Sequence, residues 1–186
     1  INKDLKEDIY ASFVLIRNVK NCNSPLWLKD RLEAIGLRSI NALVDVTNYL
    51  TYDLNRPLHV FDYDKIEKCL EIRKAKKDEK IIALDDKQYL LDESVTVITD
   101  EKGPESIAGI IGGKRTGCNN ETKNVLIESA IWDKINIANT GRKLGIISDA
   151  RYRNERGIDK NFIDDGLKKA GEIVHKICGG DISYMK

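Results

Sequence analysis

The chain has 186 residues, of which 41% are hydrophobic and 33% are charged, a composition typical of a soluble protein with one well-buried domain or two small halves sharing a core. Its 31 basic and 30 acidic residues leave a net charge of +1. This balance argues against a histone-like or coat-like protein, although it leaves room for local basic patches.

The positions of the cysteines and the lengths of the apolar runs indicate the cellular compartment of the protein. No secretory leader is evident, and neither C-x-x-C pairs nor other ligands at metal-site spacing are present, so we expect reduced thiols in a cytoplasmic protein and no metal site. No apolar run approaches the roughly 20 residues that a bilayer span needs. The chain begins at Ile1 rather than Met and stops after GGDISYMK, from which we expect a piece of a longer polypeptide.

The first third of the chain is predicted to hold one strand and two helices. A strand ending near Asn18 is indicated by the apolar, β-branched stretch YASFVLIRNV. Ser24 is a candidate N-cap and Pro25 fits the first position of a helix over LWLKDRLEAI, which Gly36 ends. A second helix is predicted over INALVDVTNYLTYDL by its i, i+3, i+4, i+7 apolar spacing, with Pro57 after its end.

The middle of the chain, from Cys69 to about Trp132, is predicted to be rich in β-structure. Short apolar segments at intervals of roughly ten residues are typical of a barrel or a sandwich. Turn-forming residues separate these segments, which are CLEIRKA, EKIIALDD, QYLLD, SVTVITD, SIAGIIGG and NVLIESAIW.

Helices are expected again at the C-terminal end of the chain. They are predicted over KINIANTGRKL and over NFIDDGLKKAGEIVHKICGG, with Gly179 as the C-cap of the latter. We therefore predict an α+β fold in one compact unit. It has a mainly helical entry over residues 1–68, a β-rich, barrel-like core over 69–132 and a helical end over 133–186.

Two polar residues stand among apolar neighbours. His59 lies in LNRPLHVFD, and a lone histidine in such surroundings is more often a hydrogen-bonded core residue than a catalyst. Glu128 lies inside the apolar stretch VLIESAIW, where an unpaired carboxylate costs several kcal/mol. It must therefore be paired, turned outward or used in chemistry, and outward alternation is the simplest interpretation.

Three further segments are open to a structural and a functional interpretation. Thr47 and Asn48 lie on an apolar helix and are interpreted, taken alone, as a surface stripe. Gly112 and Gly113 in IAGIIGGK lack the spacing of a phosphate loop and indicate a bulge or a close backbone approach. The segment Gly141–Asp159 mixes basic and acidic side chains, which favours a solvated loop with internal ion pairs; an RNA-backbone contact is the alternative.

Five segments in this order resemble the bacterial phenylalanyl-tRNA synthetase β-subunit family, in the central domain that edits mischarged tRNA. They are SPLWLKDRLEAIGLRSINALVDVTNYL, RPLHVFD, IAGIIGG, TKNVLIESA and SDARYRNERGID. The resemblance runs from about Ser24 to Asp159, and we extend it to the whole chain. It implies a mixed α/β domain with a barrel-like core that hydrolyses the ester of tyrosyl-tRNA(Phe) and spares phenylalanyl-tRNA(Phe). A pocket shaped for Phe cannot strongly reject Tyr, whereas a site that hydrogen-bonds the phenol excludes Phe.

The resemblance also implies roles for individual residues. Glu128 recognises the tyrosine hydroxyl, helped by the backbone N–H of Gly112. His59 and Asn48 orient the ester and the attacking water, and His59 acts either as a weak general base or as a positioning donor. The other substrate-binding residues implied in this way are Thr47, Ser148 and Ala150.

Three positions depart from the family pattern. Ser148 stands where many relatives have Thr, which keeps the hydroxyl and loses a methyl group. Asn154 replaces an aromatic residue before the ERG triplet, which alters the expected packing there. Asn55 and Arg56 replace a Gly-Gln pair, and we expect them to change the rim of the site near His59.

The resemblance implies no cofactor or metal in this domain, since ATP and Mg are used by the whole synthetase. The implied partners are the acceptor end of tRNA(Phe) and the α subunit of an α2β2 heterotetramer in the cytoplasm, with no membrane. One alternative is a catalytically silent tRNA-binding module, such as the related domain of tRNA-lysidine synthetase, and another is a purely structural domain. A silent binder need not keep a carboxylate in an apolar strand, so Glu128 argues against the first.

Overall fold

The structure is a computed structural model, and it describes residues 9–185. It combines helices with antiparallel sheets, which confirms the predicted α+β class. Contacts divide the chain into two compact units, where we expected one. Unit 1 comprises Lys65–Gly117, Ile131–Ile158 and the described residues up to Tyr10; unit 2 comprises Ala11–Asp64, Cys118–Ala130 and the described residues from Asp159. The first eight residues of the predicted helical entry lie outside the described range.

A four-stranded sheet forms the framework of unit 2. Its strands, in spatial order, are β10 (Asp181–Met185), β1 (Tyr10–Arg17), β9 (Val125–Ile131) and β2 (Leu58–Asp62). β1 and β10 are antiparallel, as are β2 and β9. The sheet thus pairs segments that are far apart in the sequence.

Three helices cover one face of this sheet: α1 (Leu26–Ala34), α2 (Ala42–Asp53) and α5 (Ile163–Cys178). Their apolar faces and alternate strand residues form one core, because helical and strand periodicities each direct one side inward. The fully buried members of this core include Val14, Ile16, Leu28, Ala42, Leu43, Val46, Ala170 and Val174.

The residues that cap the helices of unit 2 agree only in part with the prediction. α1 begins after Pro25, which provides no side-chain cap, so the prediction of Ser24 as N-cap was wrong. The Ser24 hydroxyl instead donates a hydrogen bond to the buried Asp45 carboxylate at 2.5 Å. α2 is capped by Asn41, whose side chain accepts from the Val44 N–H, and Gly179 ends α5 as predicted.

Unit 1 holds the remaining strands and two short helices. One antiparallel sheet has the order β3 (Glu71–Lys74), β6 (Thr96–Asp100), β7 (Gly103–Ile107) and β8 (Ile111–Gly112), and a separate hairpin joins β4 (Glu79–Ile82) to β5 (Gln88–Leu91). The helices are α3 (Lys134–Leu144), over the predicted segment, and α4 (Asp149–Asn154). No helix among the described residues is long and apolar enough to cross a membrane.

Candidate functional site

Strands β2 and β9 place His59 directly opposite Glu128. Opposed residues of an antiparallel pair project from the same face, with Cα atoms about 4.5–5.5 Å apart. Phe61, two residues along β2, shares this face, and its ring lies edge-on to His59 with the centroids 4.3 Å apart. The intervening Val60 and its partner Ile127 belong to the helix-covered core. His59 and Glu128 therefore project from the opposite face of the sheet.

Glu128 is 5% exposed, so the interpretation of an outward-turned side chain was wrong. Burial raises the pKa of its carboxyl from 4.5 to about 8, because desolvation penalises the charged form. Within residues 9–185, neither a hydrogen-bond donor nor a cation pairs with this carboxyl group. At neutral pH it is consequently a neutral acid that both donates and accepts hydrogen bonds.

His59 is half-buried, but its Nε2 is buried and finds no hydrogen-bond partner among the described residues. Burial also lowers the pKa of the imidazole to about 4, which keeps the ring neutral at physiological pH. A histidine retained only for core packing would normally be hydrogen-bonded on both ring nitrogens. The unpaired Nε2 is therefore a polar group that a ligand or a water molecule would satisfy.

Thr47 and Asn48 lie on α2, and they differ in exposure. Thr47 is 5% exposed, which contradicts the surface-stripe interpretation, and its hydroxyl donates to the Val44 carbonyl at 2.7 Å. Asn48 is half-buried. α2 packs into the core that contains Val60. Within the described range no hydrogen bond joins Thr47 or Asn48 to His59 or Glu128.

The glycine segment of unit 1 approaches a neighbouring strand closely. A Cβ atom on Gly113 would lie 2.7 Å from the Glu105 carbonyl oxygen, which confirms the predicted close approach. Gly112 is in β8 opposite Ser106, and its carbonyl accepts a hydrogen bond from the Leu84 N–H at 2.9 Å. The segment is thus held by backbone contacts on both sides.

Ser148 connects this glycine segment to α4. Its hydroxyl caps α4 by accepting from the Arg151 N–H at 3.1 Å, and it donates to the Ile110 carbonyl at 2.6 Å. Asn154 at the other end of α4 donates to the Gly109 carbonyl at 2.9 Å and is buried. Both departures from the family pattern therefore hold α4 against the turn that precedes Gly112. Ala150 is half-buried in the first turn of α4.

The segment Gly141–Asp159 has internal ion pairs, as the simpler interpretation predicted, but much of it is helical in α3 and α4, so the expectation of a loop was wrong. Arg151 and Arg156 both contact Glu155, at 3.0 and 2.8 Å, and Arg153 contacts Asp149 at 3.1 Å. These carboxylates pair with the guanidinium groups of Arg151, Arg153 and Arg156, whereas Arg142 donates to the Asn139 side-chain oxygen.

Arg56 is 1% exposed, so the expectation that it forms part of a rim near His59 was wrong. Its stem passes over Gly166, and one guanidinium nitrogen donates to the Asp159 carbonyl. The guanidinium carbon lies 5.9 Å from the centre of the Phe162 ring. Arginine is rarely this buried, and the glycine that makes room for it is far away in the sequence.

The structure brings His59 and Glu128 together in unit 2, and it brings Ser148 beside the glycine segment in unit 1. The resemblance placed His59 and Glu128 in one site, but the sequence interpretation missed their cross-strand pairing because it did not predict β2. The alternation of LHVFD, with Val60 inward, was the available signal. Among residues 9–185 no group of three or more His, Cys, Asp or Glu side chains is arranged to hold a metal ion.

The chain matches the B3/4 domain family over residues 9–179. It is 58% identical over 166 residues to the phenylalanine–tRNA ligase beta subunit of Rhodopseudomonas palustris, covering 89% of this chain and 21% of that protein. It is 54% identical to the Brucella abortus (strain 2308) beta subunit, covering 100% of this chain and 23% of that protein. The chain thus spans about a fifth of the length of these curated relatives.

A solved structure is similar at lower identity. It is an N-terminal fragment of the phenylalanyl-tRNA synthetase beta subunit from Pyrococcus horikoshii, 15% identical, with a TM-score of 0.48 over 73% of this chain and 45% of that one. Since the family match covers most of the sequence, the chain belongs to the B3/4 domain family, in the form found in phenylalanine–tRNA ligase beta subunits.

Proposed function

We propose that this chain edits mischarged tRNA within phenylalanine–tRNA ligase, by hydrolysing the ester of tyrosyl-tRNA(Phe) and sparing phenylalanyl-tRNA(Phe). The observation that carries the proposal is the cross-strand pair of Glu128 and His59, a buried carboxyl group beside an imidazole with an unpaired buried nitrogen. Buried polar groups without partners are costly, so their persistence favours a ligand that pairs them.

Glu128 supplies the discrimination in this proposal. The phenol of a tyrosyl group exchanges hydrogen bonds with the neutral carboxyl group, whereas a phenylalanyl group leaves the carboxyl unpaired. A site built to hydrogen-bond a hydroxyl rejects the analogue that lacks it by far more than an apolar pocket rejects an added hydroxyl. Burial strengthens this effect because water cannot substitute for the missing phenol.

His59 serves the hydrolytic step. Its neutral ring is a proton acceptor at physiological pH, and its low pKa makes it a weak general base that chiefly orients the attacking water. Asn48 is proposed to assist in orienting the ester. Gly112, Thr47, Ser148 and Ala150 stay predicted substrate-binding residues, each to be tested by its own substitution.

The assignment of aminoacylation and of a tRNA partner follows from the names of the relatives. We assign aminoacylation with ATP and Mg to the rest of an α2β2 synthetase, and the acceptor end of tRNA(Phe) is the proposed partner of this domain. No particular observation favours the alternatives of a silent tRNA-binding module or a structural module.

The test compares variants of Glu128 in the complete synthetase, using preformed tyrosyl- and phenylalanyl-tRNA(Phe). Glu128→Ala should erode the preference for the tyrosyl ester. Leu126→Ala is the matched control, because Leu126 is similarly buried on the same face of β9 and carries no carboxyl group. Loss of preference in both variants to the same degree would show that packing, and not the carboxyl group, sets the selectivity.

A further inference from the structure

Two cysteines of unit 2 lie where the ends of β1 and β10 meet. The β1–β10 ladder pairs Arg17 with Asp181, and beyond it the Lys20 N–H donates to the Cys178 carbonyl at 2.8 Å. Cys22 follows Lys20 by two positions, and Cys178 is the last residue of α5. The backbone contact of Lys20 brings Cys178 near this segment, and a side-chain hydrogen bond joins the thiols of Cys22 and Cys178.

The two thiols are in contact but differ in environment. Cys178 is 4% exposed, whereas Cys22 is exposed to solvent. Burial, followed by the charge of Cys22 and a side-chain hydrogen bond with it, raises the pKa of the Cys178 thiol to about 12. Both cysteines are free thiols in the structure. Cys69 is also exposed, but it has no thiol neighbour among the described residues.

We propose that Cys22 and Cys178 form a reversible disulfide when the protein meets hydrogen peroxide. The Cys22 thiol releases its proton and its sulfur attacks one peroxide oxygen, the O–O bond breaks, and the departing hydroxide takes up that proton, so the products are a Cys22 sulfenic acid and water. The Cys178 sulfur then attacks the Cys22 sulfur, the S–O bond breaks, and the hydroxyl leaves as water with the Cys178 proton. Two thiols lose two electrons in total, and one peroxide becomes two waters.

The order of events follows from exposure and contact. A solvent-exposed thiol reacts with peroxide before a buried one, because peroxide reaches it directly from water. Cys22 is therefore the residue that peroxide oxidises. Cys178 then acts as the resolving thiol, because it already touches the oxidised sulfur and does not need to reach solvent.

The disulfide would also couple to α2. The Cys22 carbonyl accepts a hydrogen bond from the Ala42 N–H, at the first residue of α2, at 2.9 Å. Oxidation would link Cys22, which contacts the first residue of α2, to Cys178 at the end of α5. Such a cross-link lowers the conformational entropy of the unfolded chain. The oxidised protein should therefore unfold at a higher temperature, with slower hydrogen exchange at the Ala42 amide.

The experiment treats the chain with hydrogen peroxide, blocks remaining thiols with an alkylating reagent and maps peptides without reduction. We expect one cross-linked peptide containing Cys22 and Cys178, which dithiothreitol removes. Cys22→Ser, at an exposed position, should abolish the cross-link, and Cys69→Ser should retain it. In Cys178→Ala, trapping of Cys22 by dimedone should rise several-fold, since the resolving thiol is missing.

Two results would overturn the proposal. One is oxidation of Cys22 to sulfinic acid in the unmodified protein without a cross-link to Cys178. The other is an unreactive Cys22, or a cross-link that persists in Cys22→Ser. None of these readouts depends on tRNA, so the proposal stands or falls separately from the editing function.

Discussion

Replacing Glu128 with Gln should change the pH dependence of stability in a way that the burial of this residue predicts. The folded protein holds the Glu128 proton up to about pH 8, whereas the unfolded chain releases it near its ordinary pKa of 4.5. The folded state therefore binds more protons between these values. Its free energy of unfolding falls as the pH rises through this window, and the fall ends above the folded-state pKa.

The magnitude follows from the pKa of the carboxyl group. One pKa unit corresponds to about 1.4 kcal/mol, so raising the pH from about 5 to about 7 should remove about 2.5 kcal/mol from the unfolding free energy. His59 acts in the opposite sense, because its pKa is lowered from 6.5 to about 4 and its contribution grows as the pH rises between these values. The changes with pH that Glu128 and His59 each cause in the unfolding free energy partly cancel in the unmodified protein. The Glu128→Gln substitution keeps His59, so the difference between the two proteins isolates Glu128.

The assay is urea unfolding of the unmodified protein and Glu128→Gln from about pH 5 to about pH 9. The stability of the variant relative to the unmodified protein should rise by about 2.5 kcal/mol up to about pH 7 and level off above about pH 8. Leu126→Ala is the control and should give a loss of about 2–4 kcal/mol that does not vary with pH. A constant difference for Glu128→Gln across the range would refute the raised pKa.

Three further substitutions test the rest of the site. His59→Ala in the synthetase should slow hydrolysis of the tyrosyl ester by about 100-fold and leave the preference for tyrosine over phenylalanine largely intact, with Val60→Ala as the packing control; the opposite pattern would reverse the roles of His59 and Glu128. Ser148→Ala should lower the unfolding free energy by about 1 kcal/mol through loss of the α4 cap, and an unchanged value in urea unfolding would contradict that role. Gly113→Ala should cost more than about 1 kcal/mol, because its Cβ would meet the Glu105 carbonyl oxygen, and unchanged stability would show that β8 shifts freely.

Local patterns predicted most of the helices because each helix carries its own periodicity and end signals. α3 and α5 lie over predicted segments, and α2 begins and ends within its predicted segment. β2 was missed because its alternation extends over only five residues after a proline, which is a short signal. β10 was missed for a different reason: it is an edge strand whose pairing with β1 depends on the distant N-terminal segment.

The residues of the site illustrate the same limit. Glu128 was identifiable as an anomaly, since a carboxylate in an apolar strand calls for an explanation. Its position opposite His59 depends on the register of two strands far apart in the sequence, and no local pattern encodes that register. Arg56 was misplaced for a related reason, because its burial depends on the space left by Gly166 on a distant helix.

The central claim is that a buried Glu128 carboxyl group selects the tyrosyl ester. The most direct measurement is the rate at which the complete synthetase hydrolyses tyrosyl-tRNA(Phe) relative to phenylalanyl-tRNA(Phe), in the unmodified enzyme and in Glu128→Ala. We predict rapid and selective loss of the tyrosyl ester in the unmodified enzyme and a much smaller preference in the variant. Equal stability of both esters in the unmodified enzyme, with tRNA still bound, would contradict the editing function, and an undiminished preference in Glu128→Ala would contradict the role of this residue.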